Sequence, residues 1–251
     1  MKLFLKIVLA LFLLFSIVYS FKRYSYFPLD GDLPAIVLPD SGFYLSVMDD
    51  PFGINVILHD SVYPATNRFF THWTISAYFK TIPFLFQNIS SPIKSIYLSC
   101  AMAKTLIQFS LVFLITFYVT GKKKFWSFDF MLIASITTPL FQTFGFNQWM
   151  GVIDSSITYT YFYAFSICLV MLFLLPFFHA GFYRDNFHFK IITVIFLFLL
   201  TIVISFNGPL NAPVILLVCP SIIIHYFFKK FSSIPENGFF KRVSTSIKAM
   251  S

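Results

Sequence analysis

An all-α polytopic membrane protein is the fold class this sequence predicts, and three observations predict it. The chain of 251 residues is 58% hydrophobic and 11% charged, against roughly 45–50% apolar and about 25% charged in an ordinary soluble domain. Its apolar residues fall in uninterrupted runs, without the alternation of about 3.6 or 2 residues that a water-facing element needs. Its 18 Lys and Arg residues give a net charge of +8 and gather at the ends of those runs. They form neither a basic helix nor an aromatic-basic interleave. A soluble globular enzyme and a nucleic-acid binder are thereby excluded, and the bilayer is the expected partner. We expect about six transmembrane helices, with a mixed external first loop that contains an interfacial amphipathic helix.

The first run spans residues 1–20, with Lys2 and Lys6 holding its start on the cytoplasmic side. Val18-Tyr19-Ser20 satisfies the small-residue pattern of a cleavage site. Lys22 and Arg23 follow at once, however, and more apolar runs lie downstream, so the segment is expected to stay as a signal anchor.

Residues 21–95 form the external loop, and it holds six of the ten acidic residues: Asp30, Asp32, Asp40, Asp49, Asp50 and Asp60. Prolines and glycines cut it into turns, with strand-like pieces at Ala35–Leu38 and Ile54–Leu58. Thr66 is placed to cap a helix carrying Phe69, Phe70, Trp73, Ala77, Tyr78 and Phe79, apolar side toward the acyl chains.

The transmembrane bundle then occupies residues 96–228, with spans at 96–119, 128–146, 157–178, 191–206 and 213–228. Gly121-Lys122-Lys123-Lys124 is the strongest cytoplasmic mark, and Arg184 and Lys190 supply another. An even number of crossings between them brings in the weaker span at 128–146. The last two runs have 16 residues each, about 24 Å of helix against a hydrocarbon core of roughly 30 Å. They read either as short spans or as a re-entrant hairpin. Residues 229–251 form a basic cytoplasmic tail. Both termini are thus expected inside, in a bacterial inner membrane. Because no obvious terminal element precedes Met250-Ser251, a longer reading frame is expected.

Chemistry has few places to reside. Lys104 is the one basic residue deep within a confident span, where a lysine costs about 2.5–3.5 kcal/mol against roughly −5 kcal/mol from the apolar residues around it. It pairs with a lipid phosphate, helped by Gln108 one turn on, or else it snorkels outward or pairs with a loop aspartate. Asp30-Gly31-Asp32, about ten residues after the first span, offers two carboxylates as base and orienting partner or as ligands for a divalent cation. The alternative is a solvated turn. Asp49-Asp50-Pro51-Phe52-Gly53 reads as a turn, Arg68 as a phosphate contact, and Asp154 as a partner from the second external loop. His59 and His72 share the acidic loop at no recognised ligand spacing. Cys100, Cys168 and Cys219 read as small buried hydrophobes.

The order of one span, a long external loop with early acidic residues and an interfacial helix resembles the membrane-embedded glycosyltransferases of the GT-C superfamily. The likeness covers residues 1–120 and rests on arrangement. It implies a polyprenyl-linked sugar donor and a first-loop carboxylate as base or metal ligand, a role that falls on Asp30 or Asp32. Departing from that family, six spans is fewer than such enzymes have. The stretch from Gly31 to Trp73 also resembles uncharacterised bacterial polytopic proteins, which adds no activity. The competing reading is a non-enzymatic membrane protein: a transporter, channel subunit or assembly factor.

Overall fold

The computed structural model describes residues 2–39, 43–121, 124–142, 151–184 and 189–233. Asp40, Lys122, Lys123, the end of the expected span at 128–146, His188 and most of the basic tail lie outside the described residues. The chain is all-helical, with no strand among the described residues. Four helices are long and apolar enough to cross a membrane: Lys2–Tyr24, Pro92–Thr120, Ile157–Tyr183 and Asn211–Lys229. Two expected spans form shorter apolar helices, Phe128–Phe141 and Ile191–Ser205.

The chain divides into two compact units, Met1–Pro209 and Leu210–Ser251. The second carries helix α12 (Asn211–Ser233), which has Pro220 inside it and exposed Leu216, Leu217, Ile223 and Ile224.

In the first unit, α7 (Pro92–Thr120) is the central post, with α1 (Lys2–Tyr24), α6 (Ile82–Gln87), α8 (Phe128–Thr137) and α10 (Ser166–His179) packed on it. Its 29 residues reach about 43 Å at 1.5 Å per residue, beyond a hydrocarbon core of roughly 30 Å. Pro92 suits the first turn, where no amide bond is lost. Ser95, Ser99 and Ala103 make a buried stripe of small side chains that lets neighbours approach closely. The helix stops at Gly121, whose φ of +59° favours glycine and where a Cβ would come within 2.6 Å of the Tyr183 ring. Tyr183 also donates its hydroxyl to the Tyr118 carbonyl at 2.9 Å, satisfying one of the free carbonyls at the helix end.

Between α1 and α7 the expected mixture of helix and strand is instead a series of short helices joined by turns, with no strand among the described residues. Ala35–Leu38 falls largely in α2 (Asp32–Val37), and Ile54–Leu58 in α4 (Ile54–His59). A short apolar run has no resolvable period, and end chemistry decides it: the Asp50 carboxylate accepts from the amides of Ile54 (2.9 Å) and Asn55 (3.1 Å), starting a helix. Asp49-Asp50-Pro51-Phe52-Gly53 is thus a helix-starting turn.

The aromatic helix expected after Thr66 is α5 (Phe69–Phe79), but Thr66 does not cap it. Thr66 opens a 3₁₀ turn (Thr66–Arg68), and its hydroxyl pairs with that of Tyr63 at 3.2 Å. The buried stripe of α5 is Thr71, His72, Ile75, Ser76 and Phe79, packed by α2 and by α3 (Phe43–Asp49), while Trp73 stays exposed. Thr71 in this stripe ties α5 to a distant part of the chain: its Oγ1 donates to the Asn207 carbonyl at 2.6 Å, and the neighbouring Phe70 amide donates to the Phe206 carbonyl at 2.9 Å.

Candidate functional site

The five residues singled out from the sequence, Asp30, Asp32, Arg68, Lys104 and Asp154, fall into two adjoining clusters with different states of satisfaction. The first is a knot around the start of α9 (Ile157–Tyr159). Ser156 caps that helix, its hydroxyl accepting from the Tyr159 amide at 3.1 Å. The same hydroxyl donates to Asp30 Oδ2, which also accepts the Thr158 amide at 3.0 Å, while Oδ1 takes the Asp32 amide at 2.9 Å. A carboxylate meeting the amides of a helix start is favoured by the partial positive charge there. Partial burial works to raise the Asp30 carboxyl. The hydrogen bonds from the Ser156 hydroxyl and from these amides, with the Thr158 hydroxyl close by, outweigh it and hold the group below its ordinary value of 3.8.

Asp154, buried, closes the same turn by accepting the Ser156 amide at 2.8 Å. Beneath it, Lys104 is 1% exposed. Its ammonium donates to the Ser155 carbonyl and lies 4.8 Å from the centre of the Phe27 ring, within the field of Asp154 and Asp30. The lysine buried within this long apolar helix is thus engaged by the polypeptide itself. Gln108, expected to assist it, turns elsewhere: it accepts the Tyr24 hydroxyl and donates to Ser20 Oγ at 3.1 Å.

The second cluster surrounds a cavity of about 240 Å³ that Asp32, Arg68, His72 and Thr158 line together with Tyr44, Tyr159, Phe162 and Tyr163. Asp32 opens α2, Arg68 ends the 3₁₀ turn, His72 sits one helical turn on in α5, and Tyr44 comes from α3. Phe162 and Tyr163 come from a π-helical stretch, Thr160–Phe165, between α9 and α10. Such wide turns recur at functional sites, where they re-aim side chains.

Asp32 is exposed and accepts the Tyr44 hydroxyl at 3.4 Å. The Arg68 guanidinium carbon stands 5.9 Å from the Phe162 ring centre. His72 is 1% exposed, stacked on Tyr44 at 5.6 Å and edge-on to Phe162 at 5.7 Å. Its Nε2 has no hydrogen-bond partner. Burial, and after it the charge of Arg68, push the imidazole down to about 4. It is therefore neutral at ordinary pH.

As a resident metal centre the residues fit poorly. Asp30 gives its lone pairs to hydrogen bonds, and among the described residues no group of three or more His, Cys, Asp or Glu side chains stands where an ion could be held. The glycine of Asp30-Gly31-Asp32 is not demanded by conformation, since its φ is −66° and a Cβ there would meet nothing within 4 Å.

Sequence reasoning brought forward Asp32 and Arg68 but weighed His72 only as a metal ligand. Arg68 and His72 stand four apart, on one face of a helix, and that spacing was the available signal. Tyr44, Thr158 and Phe162 gave none. Comparison of the chain with protein families, with characterised proteins and with solved structures gives no match.

Proposed function

We propose that the protein is an integral-membrane transferase that moves a sugar from a polyprenyl-phosphate donor at the external membrane face, with Asp32 as general base and Arg68 as the phosphate contact. One observation carries this reading: a cavity where the segment joining the first two long apolar helices meets the start of the third gathers one exposed carboxylate, one guanidinium and a wall of aromatic rings. At about 240 Å³ it is smaller than the roughly 300–1,000 Å³ of sites for drug-sized ligands, which suits one sugar ring with its lipid left in the bilayer.

In this mechanism Asp32 takes the proton of the acceptor hydroxyl as that oxygen bonds to the anomeric carbon. The bond from that carbon to the phosphate oxygen breaks, and the phosphate leaves with the electron pair toward Arg68. Aromatic faces suit the apolar faces of a sugar ring. The knot around Asp30 acts as the scaffold that presents Asp32, since the Asp32 amide is held by the Asp30 carboxylate. The layout in which one span, an acidic segment and a second span follow in order is also what the GT-C resemblance implies.

The protein in nanodiscs, given a radiolabelled polyprenyl-phosphate hexose and its polyol acceptors, is expected to transfer the label. Asp32→Asn should lower turnover roughly 10²–10⁴-fold, the range for loss of a general base, without loss of the folded protein. Wild-type protein that neither transfers nor binds the donor would replace this reading by that of a non-enzymatic membrane protein.

A further inference from the structure

Two of the residues that line the cavity carry a buried polar atom without a well-formed hydrogen bond. His72 Nε2 and Thr158 Oγ1 belong to residues 1% and 2% exposed, and neither has a hydrogen-bond partner. The Thr158 hydroxyl lies beside the Asp30 carboxylate and helps to hold it ionised, as the Thr158 amide does at 3.0 Å, so His72 Nε2 is the atom of the two with no neighbour to serve. Buried polar groups in folded chains are almost always paired, because leaving one bare carries its full desolvation cost. A core explanation for His72 is available and falls short: a phenylalanine would keep the stacking on Tyr44 and the edge contact with Phe162. It would also remove the bare nitrogen. The ring geometry therefore does not account for the imidazole.

We propose that His72 is a specificity-determining residue, whose Nε2 hydrogen-bonds a ligand hydroxyl at the inner wall of the cavity alongside Thr158. This rests on the transferase reading above and adds what that reading leaves open, namely which part of the ligand reaches which part of the wall. The chemistry selects a hydroxyl. A neutral imidazole offers no charge to an anion, and the neighbouring Asp30 and Asp32 carboxylates repel one, so a phosphate is drawn toward Arg68 instead. A hydroxyl both donates and accepts, so it pairs with either imidazole tautomer and with the threonine hydroxyl. A wall built to bond a hydroxyl discriminates sharply against a ligand lacking it, because the buried groups are then left bare.

The test uses the protein in nanodiscs with ¹⁵N-labelled histidine, probed with methyl α-glucoside, methyl α-mannoside and methyl α-galactoside, and separately with undecaprenyl phosphate. At least one hexoside is expected to bind and to move the His72 Nε2 resonance. His72→Phe should weaken that hexoside about tenfold, the loss of one buried hydrogen bond, and leave undecaprenyl phosphate binding as in wild type. His72→Gln, which keeps a polar group at the same reach, should recover binding to within about threefold. Hexoside affinity unchanged in His72→Phe, or a saturating hexoside that leaves the Nε2 resonance in place, overturns the proposal. If undecaprenyl phosphate binds and no hexoside does, the role of His72 fails while the transferase reading stands; if neither binds, both fail. Should His72→Phe not fold, the wild-type resonance decides alone.

Discussion

Asp30 and Asp32 are two residues apart and have opposite fates. Asp30 spends its carboxylate on a hydroxyl and two amides of its own chain, one of the partners 126 residues away and another 128. Asp32 stands exposed at a cavity wall with a tyrosine hydroxyl at 3.4 Å. The same division runs through the surrounding residues. Lys104 and Asp154 are satisfied on the Asp30 side, while His72 Nε2 is bare on the Asp32 side. A polar group whose bonds are complete holds the fold, and one left incomplete at a cavity is available to a ligand. Position in the sequence alone does not separate the two.

The largest effect should follow from replacing the two aspartates one at a time. Hydrogen bonds to a charged group contribute about 1.5–3 kcal/mol each, less where solvent reaches them and not additively. Asp30→Asn should therefore cost about 2–3 kcal/mol of stability, read by denaturant or thermal unfolding in detergent. Asp32→Asn should cost under about 1 kcal/mol, as for an exposed side chain. Equal losses in the two variants would erase the distinction between scaffold and site.

Acid should separate the two sides by pH window. The imidazole of His72 is held down to about 4 in the folded protein against 6.5 ordinarily. Between those values the unfolded chain binds the extra proton, so stability falls as pH drops from 6.5 to about 4. Asp30 is lowered from 3.8. Its contribution is whole above that value and drains only as the pH falls through the lower, folded-state value. His72→Gln should flatten the upper window and leave the acid limb. Asp30→Asn should do the reverse, so that its deficit relative to wild type shrinks as the pH falls below 3.8. Unfolding free energies measured across both windows check this, and a single common slope that neither variant alters would contradict it.

Much of the helical framework was legible because long apolar runs carry a strong signal. The apolar segments at 96–119 and 157–178 appear within helices that start or end a turn further out. The helices between α1 and α7 were misread in part, since Ala35–Leu38 and Ile54–Leu58 are too short for periodicity to choose helix over strand. The aspartates and Arg68 were legible as residue types in an acidic segment. Their division was not, because it depends on Ser156 and Thr158, over 120 residues distant and unremarkable by themselves. Lys104 and Gln108 show the limit of spacing arguments. Four residues apart on α7, they find different partners because different elements, the turn before α9 and helix α1, face them.

The smallest effect concerns α1, where Ser16, Ser20 and Tyr24 form a buried stripe on an otherwise exposed apolar helix. Ser20 Oγ receives hydrogen bonds from Gln108 (3.1 Å) and Gln142 (3.2 Å), and Gln142 also reaches the Ser16 carbonyl at 3.1 Å. Side-chain hydrogen bonds between helices in a membrane are worth about 0.6 kcal/mol on average. Ser20→Ala should accordingly cost about that much, because the Tyr24 hydroxyl still holds Gln108. The small value has a larger counterpart: cleavage after Ser20 would strip Gln108 and Gln142 of these partners together, so α1 is expected to remain in the mature chain. Intact-mass measurement of the purified protein checks this. A mature chain starting at Phe21, unfolding at the same denaturant concentration as protein that retains α1, would show that the polar stripe fastens nothing the fold requires.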